Sequence, residues 1–136
     1  MIRPIMKDVL FLSQKSEPAT REDLQVGTDL RDTLAANRDR CVGMAANMIG
    51  IKKRVIIVNI GMADVVMFDP VILSKDSPYE AEEGCLSLTG TRKTTRYENI
   101  RVEFYDMRWK KQQMKLSGWP AQICQHEMDH LEGILI

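Results

Sequence analysis

The feature that most constrains this chain is the hexapeptide Gln125-His126-Glu127-Met128-Asp129-His130, which holds its only two histidines four residues apart. On an α-helix, residues at that spacing share one face, where two imidazoles can reach a single metal ion. Glu127 then stands beside the ion, placed to handle a proton. The pattern therefore asks for a helix over about Pro120 to Glu132. The plainer alternative is a surface helix with two solvated histidines and acids between them.

A catalytic metal centre commonly takes three protein ligands and leaves a position for water, so the helix needs a partner from elsewhere. Cys85 is the best candidate. In Glu82-Glu83-Gly84-Cys85-Leu86-Ser87, Gly84 lets the backbone bend closely past an ion, and the N–H of Leu86 points toward a bound substrate. The ordinary fate of a free cysteine is an inert buried thiol. Cys124, two residues before His126, faces away from the histidine pair and is read as core, and Cys41 is also assigned to packing. A thiolate with two imidazoles suits zinc, iron, cobalt and nickel, so the sequence leaves the metal open.

At 136 residues the chain can bury a core as one domain, residues 1–136, without disulfides. Lys plus Arg and Asp plus Glu both total 19, so there is no global field to hold a phosphate backbone or an acidic membrane. Neither nucleic acid nor membrane is expected as a partner. No apolar run approaches the roughly 18 residues of a membrane span, and Met1 to Leu12 lacks a signal peptide's apolar core. Three cysteines at unrelated spacings suit a reducing compartment, and a cytoplasmic location is expected.

Thr20-Arg21-Glu22-Asp23 reads as a capping box, and Leu24, Gly27, Leu30 and Leu34 follow at helical spacing, so a first helix is expected from about Thr20 to Asn37, weakened by Gly27. Val55 to Val58, Val65 to Phe68 and Val71 to Leu73 read as strands joined by turns, with Asp69-Pro70 as one turn. Alternation returns at Ile100 to Phe104, and a strand near Met114 to Leu116 follows the polar stretch Asp106 to Gln113. Lys75 to Pro78 is a turn-sized break. The expectation is an α+β fold, a mostly antiparallel sheet packed around the metal-binding C-terminal helix, with an N-terminal helix.

Three segments resemble the three signature motifs of the peptide deformylases: Cys41-Val42-Gly43-Met44-Ala45-Ala46-Asn47-Met48-Ile49-Gly50, Glu83-Gly84-Cys85-Leu86-Ser87, and Gln125-His126-Glu127-Met128-Asp129-His130-Leu131. Their order and intervals are similar to the family's, and Asp69-Pro70 and Arg96 fall where it has comparable residues. The resemblance implies a hydrolase that removes the formyl group from the N-terminal methionine of new bacterial proteins, using ferrous iron or a substitute such as zinc, nickel or cobalt. It implies that Cys85, His126 and His130 bind the metal. Glu127 would take a proton from the attacking water and pass it to the leaving amine, and the Leu86 N–H would help hold the oxyanion. Val42, Trp119 and Ile123 match positions lining the methionine side-chain pocket, and Gly43 lies where the substrate backbone pairs with the protein.

The first motif of the family normally reads Gly-x-Gly-x-Ala-Ala-x-Gln-x-Gly, but here Cys41 replaces the first glycine and Met48 the glutamine. That glutamine's amide donates to the oxyanion, and a thioether has no donor to give. Asn47 carries an amide, but a neighbour on an extended segment faces the other way. Reduced activity is one expectation, and a metal-binding protein that recognises peptide N-termini without efficient turnover is the alternative. A His-Glu-x-x-His metalloprotease is a third reading, disfavoured by Cys85. The chain stops at Ile136, where many bacterial members continue into a C-terminal helix, so ribosome contact through such a helix is not expected.

Overall fold

The computed structural model describes residues 1–85 and 88–135. A short helix α1 (Val9–Leu12) begins at Asp8, whose carboxylate accepts from the N–H of Leu10; the sequence carries no periodic signal for it. The capping box forms as its residues ask. The Thr20 hydroxyl accepts from the Glu22 N–H at 3.3 Å, and the Asp23 carboxylate accepts the Thr20 N–H at 2.8 Å. Together they start a 3-10 turn, Arg21–Asp23, that leads into α2 (Leu24–Ala36). Gly27 is a requirement of this helix, not only a weakness in it. A Cβ there would stand 2.7 Å from Cζ of Phe68 and 2.9 Å from Cγ1 of Val66, so only glycine lets α2 lie this close to the sheet.

Five antiparallel strands follow in chain order: β1 (Gly43–Ala45), β2 (Val55–Asn59), β3 (Asp64–Cys85), β4 (Leu88–Tyr105) and β5 (Lys111–Ser117). The β-branched residues Val55, Ile56, Ile57 and Val58 are buried, because both faces of β2 are covered. Asp69-Pro70 is not the expected turn, since β3 runs through it. The chain absorbs the pair as an irregularity, with Asp69 at φ 50 and a register shift between Phe68 and Val71. The Asp69 carboxylate accepts the Ala19 N–H at 2.7 Å, and its own N–H donates to the Arg54 carbonyl. Local turn chemistry is thereby converted into a bulge that re-aims a long strand. Lys75 to Pro78 also lies within β3, paired with β4 at Lys75↔Ile100 and Pro78↔Tyr97.

The sheet ends in α3 (Gly118–Leu131), with Pro120 in its first turn, where a missing N–H costs nothing. Gly133 lies just beyond at φ 75, and a Cβ on it would come within 2.4 Å of the Ser13 carbonyl oxygen. Helices α2 and α3 both pack on β2. Their apolar faces, through Leu30, Leu34, Ile123, Cys124 and Leu131, meet Ile56, Ile57 and Phe68 in one α+β core. The long β3–β4 ribbon brings its end at Cys85 up to α3.

Candidate metal centre

Helix α3 is anchored before it presents any chemistry. The Gln125 side chain accepts from the Tyr97 N–H and donates to the Tyr97 carbonyl, both at 2.8 Å, which fixes the rotation of α3 against β4. With that rotation set, His126 and His130 project from one face and their Nε2 atoms lie 3.1 Å apart. Cys85, at the end of β3, completes the group: one ligand atom from each of Cys85, His126 and His130 lies within 4.8 Å of the others. Two ring nitrogens so close cannot both present bare lone pairs without repulsion, so they call for a proton or a cation between them. A sulfur and two nitrogens at this spacing suit a borderline divalent metal.

The next shell is built around Glu83. Its Oε1 lies 2.8 Å from Nδ1 of His126, and Arg96 forks onto the carboxylate with Nε at 2.9 Å and Nη2 at 2.7 Å. Arg96 also reaches Asp129 with Nη1 at 2.6 Å, and Gln122 donates to Oε2 of Glu83 at 3.0 Å. Burial is the largest influence on Glu83 and opposes ionisation, yet the bonds from His126 and Arg96 overcome it and bring the carboxyl to about 2. A carboxylate there accepts a proton from Nδ1 of His126, which leaves Nε2 to face Cys85 and His130.

Burial pulls both histidines down. His126 overcomes it through Cys85 and Glu83 and rises to about 10, whereas His130 falls to about 3, depressed further by the charge on His126. Glu127 is raised to about 7, chiefly by burial. Its Oε1 and the Nδ1 of His130 are buried with no partner among the described residues.

Cys85, His126 and Glu127 line a cavity of about 200 Å³, together with Val42, Gly43, Trp119 and Ile123. Gly43 is required by close approach, because a Cβ on it would come 2.4 Å from Cγ2 of Ile123 and 3.1 Å from Oε2 of Glu127. All the sequence-derived candidates therefore meet at one cavity or its metal-type cluster, except Leu86, which lies outside the described residues. Gly84 needs no special freedom: a Cβ there would meet Gly90 and Thr91 at ordinary distances of 3.4 and 3.8 Å.

On the β1 side one expectation is extended and one corrected. Cys41 packs against the core as expected, and it also lines the cavity, with its thiol donating to the Gly43 carbonyl at 2.7 Å. Burial, aided by the charge of Glu127, pushes this thiol up to about 12. Ala46–Ile49 is a 3-10 turn, not an extended segment. Asn47 points into the core and donates to the His130 carbonyl at 2.9 Å, while the Met48 sulfur accepts the Ala45 N–H at 3.4 Å.

Gln122 and Tyr79 lie in none of the three motifs, whereas Glu83 opens the second one without any role assigned to it, and alternation along a strand, which puts it on the same face as Cys85, offered the clue.

The sequence model of the polypeptide deformylases matches residues 2–136. The chain is 57% identical over 136 residues to the peptide deformylase of Clostridium beijerinckii, with all of both chains covered. A class I type b peptide deformylase from Acinetobacter baumannii superposes with a TM-score of 0.90 at 32% identity, covering 99% of this chain and 97% of that one. The Met-Ala-Ser-bound form of the Acinetobacter protein superposes with a TM-score of 0.88 at 32% identity and the same coverage.

Proposed function

Because the chain belongs to the polypeptide deformylase family, and is therefore a metal-dependent, formyl-removing hydrolase, we propose that Cys85, His126 and His130 hold its ion and that Glu127 is its acid/base residue. The cavity beside them seats the side chain of a formylated N-terminal methionine on a new protein, against Val42, Trp119 and Ile123. The observation that carries this reading is the convergence of the three ligand atoms within 4.8 Å of one another beside a cavity that Glu127 also lines. The ion is ferrous iron, with zinc, nickel or cobalt able to substitute. The location is the cytoplasm, in keeping with free thiols at Cys41, Cys85 and Cys124, and residues 1–136 act as one domain.

When bound, the ion lowers the pKa of water from 15.7 toward about 7 and polarises the formyl oxygen. The rest is done by side chains and backbone. Glu83 accepts a hydrogen bond from the Nδ1–H of His126, so the proton that an ion would displace is the one on Nε2, and that nitrogen would be the one to hold the ion. Strand β1 is at the edge of the sheet, so a peptide can add to it along Gly43 as a further strand, which brings its formyl end to Glu127. Glu127 accepts a proton from the attacking water and returns it to the leaving amine. The Leu86 N–H is the proposed backbone donor to the oxyanion.

Met48 favours a slow enzyme, because its buried sulfur offers the oxyanion no proton. Formate release from formyl-Met-Ala-Ser by anaerobically purified protein, with metal content measured on the same sample, tests the whole reading. Bound metal with no formate at any enzyme concentration would overturn the assignment of the cavity as the reacting site.

A further inference from the structure

An aliphatic side chain would be seated well enough by Val42, Trp119 and Ile123, yet one wall of the cavity is polar. Gln122, one turn before His126 on α3, lines it half-buried. The orientation of its amide is fixed by its neighbours. Glu83 is forked by Arg96 and can only accept, so Gln122 must turn Nε2 toward it, at 3.0 Å. Its Oε1 then faces Tyr79, whose hydroxyl donates to it at 3.1 Å. An amide nitrogen carries two protons, and the described residues offer an acceptor to one of them.

We propose that Gln122 is a specificity-determining residue that donates its second amide proton to the sulfur end of the first residue's side chain. The cavity then prefers methionine to its isostere norleucine and also accepts methionine sulfoxide. This deepens the reading of the cavity as the methionine site and rests on it. A thioether is a weak acceptor, the norleucine methylene is none, and a sulfoxide oxygen is a strong one. In a wholly apolar cavity the sulfoxide would lose its water with nothing in return. Here the donor is already held in place by Glu83 and Tyr79, so little further ordering is required when the side chain enters. A start methionine oxidised before processing is therefore still a substrate.

The test compares kcat/KM for formate release from formyl-Met-Ala-Ser, formyl-norleucyl-Ala-Ser and the formyl-methionine-sulfoxide analogue. Wild type, Gln122→Leu and Gln122→Met are loaded with the same metal, and metal content is measured. Fluorescence titration with the three deformylated peptides adds a binding readout, because Trp119 lines the same cavity and is 59% exposed. Wild type should favour methionine over norleucine by about 3- to 10-fold, the size of one weak hydrogen bond. It should turn over the sulfoxide within about tenfold of methionine. Both variants should lose the norleucine preference, and their sulfoxide turnover should fall by at least about tenfold more than their methionine turnover.

A side chain that only supported Glu83 would slow all three peptides equally, and that result would overturn the proposal. So would a wild-type protein that treats methionine and norleucine alike, whatever the variants do. No formate and no binding with any peptide would overturn the methionine-site reading as well, whereas formyl-methionine turnover without selectivity would overturn this inference alone.

Discussion

On the α3 side of the cavity polar groups are held in a chain: His126 by Glu83, Glu83 by Arg96 and Gln122, Gln122 by Tyr79, and the helix itself by Gln125 on Tyr97, while Oε1 of Glu127 and Nδ1 of His130 have no partner among the described residues. On the β1 side the groups turn inward. The Cys41 thiol donates to the Gly43 carbonyl of β1, the Met48 sulfur takes the Ala45 N–H, and Asn47 bonds the far end of α3. The contrast separates two tasks of an amide hydrolase, holding an ion and stabilising developing charge on oxygen. The first wall is built around His126, whose Nδ1 is backed by Glu83 and, through it, by Arg96 and Gln122. In the second wall Met48 has a sulfur that accepts the Ala45 N–H and carries no proton of its own to donate.

The sharpest break of this comparison comes from the proposed ligands. Cys85→Ala combined with His130→Ala should abolish stoichiometric metal binding, seen by elemental analysis after dialysis, and turnover with it, since a lone imidazole cannot replace a three-ligand set. Unchanged metal content would remove the site from this cavity. Glu127→Gln should keep the metal and lose about 10²–10⁴-fold in kcat, the range for a positioned acid/base group. Full turnover in that variant would hand the proton transfer to another residue.

How far this was legible in the sequence follows the same division. The meeting of His126, His130 and Cys85 in space, with Glu127 beside the same cavity, could be expected from the sequence because the metal ligation proposed for them restricts residue type and spacing together. The capping box at Thr20 and the β-branched run at Val55 to Val58 were legible because they rest on local geometry. Asp69-Pro70 misled because turn residues signal a bend without saying whether the partner strand will follow it, and here β4 does. The outer part of β3 is largely exposed, so it shows no alternation to read. Glu83, Arg96 and Gln122 form their network across two strands and a helix, at separations of 13 and 39 residues. No local pattern encodes contacts of that kind. Asn47 was read on an extended segment, and the 3-10 turn that redirects it became visible only with the fold.

Placing a side-chain donor at Met48 sharpens the comparison from the other wall. Met48→Gln should raise kcat, with a ceiling of about 10²-fold, and should change KM less, because the donor matters most once charge has formed on the oxygen. The structure supplies a reason for the swap to seat well. The Ala45 N–H now held by sulfur at 3.4 Å is a ready donor to a glutamine Oε1, which would leave Nε2 for the oxyanion. The opposing cost is the apolar surroundings of a residue only 1% exposed. Formate release by metal-matched samples decides it. An ordinary wild-type rate with no gain would mean that another donor already serves the second wall.

The smallest effect is expected where the two walls touch. Asn47 is fully buried, its Nδ2 donates to the His130 carbonyl at 2.9 Å, and its Oδ1 has no partner among the described residues. In Asn47→Ala the carbonyl is not orphaned, since the Gly133 N–H also reaches it at 3.1 Å. Losing the hydrogen bond and some volume destabilises, while removing an unpaired buried oxygen stabilises, so the net loss should be about 1 kcal/mol, or about 3 °C in Tm for a chain of this size. Melting curves of metal-loaded and chelator-stripped protein should shift by the same amount, because the bond ties backbone at the end of α3 and does not touch a ligand atom. A larger shift in the loaded form, with weaker metal retention, would show that the 3-10 turn helps set His130. The two walls would then be one unit, and Met48 would have to be judged by its effect on the metal as well as on the oxyanion.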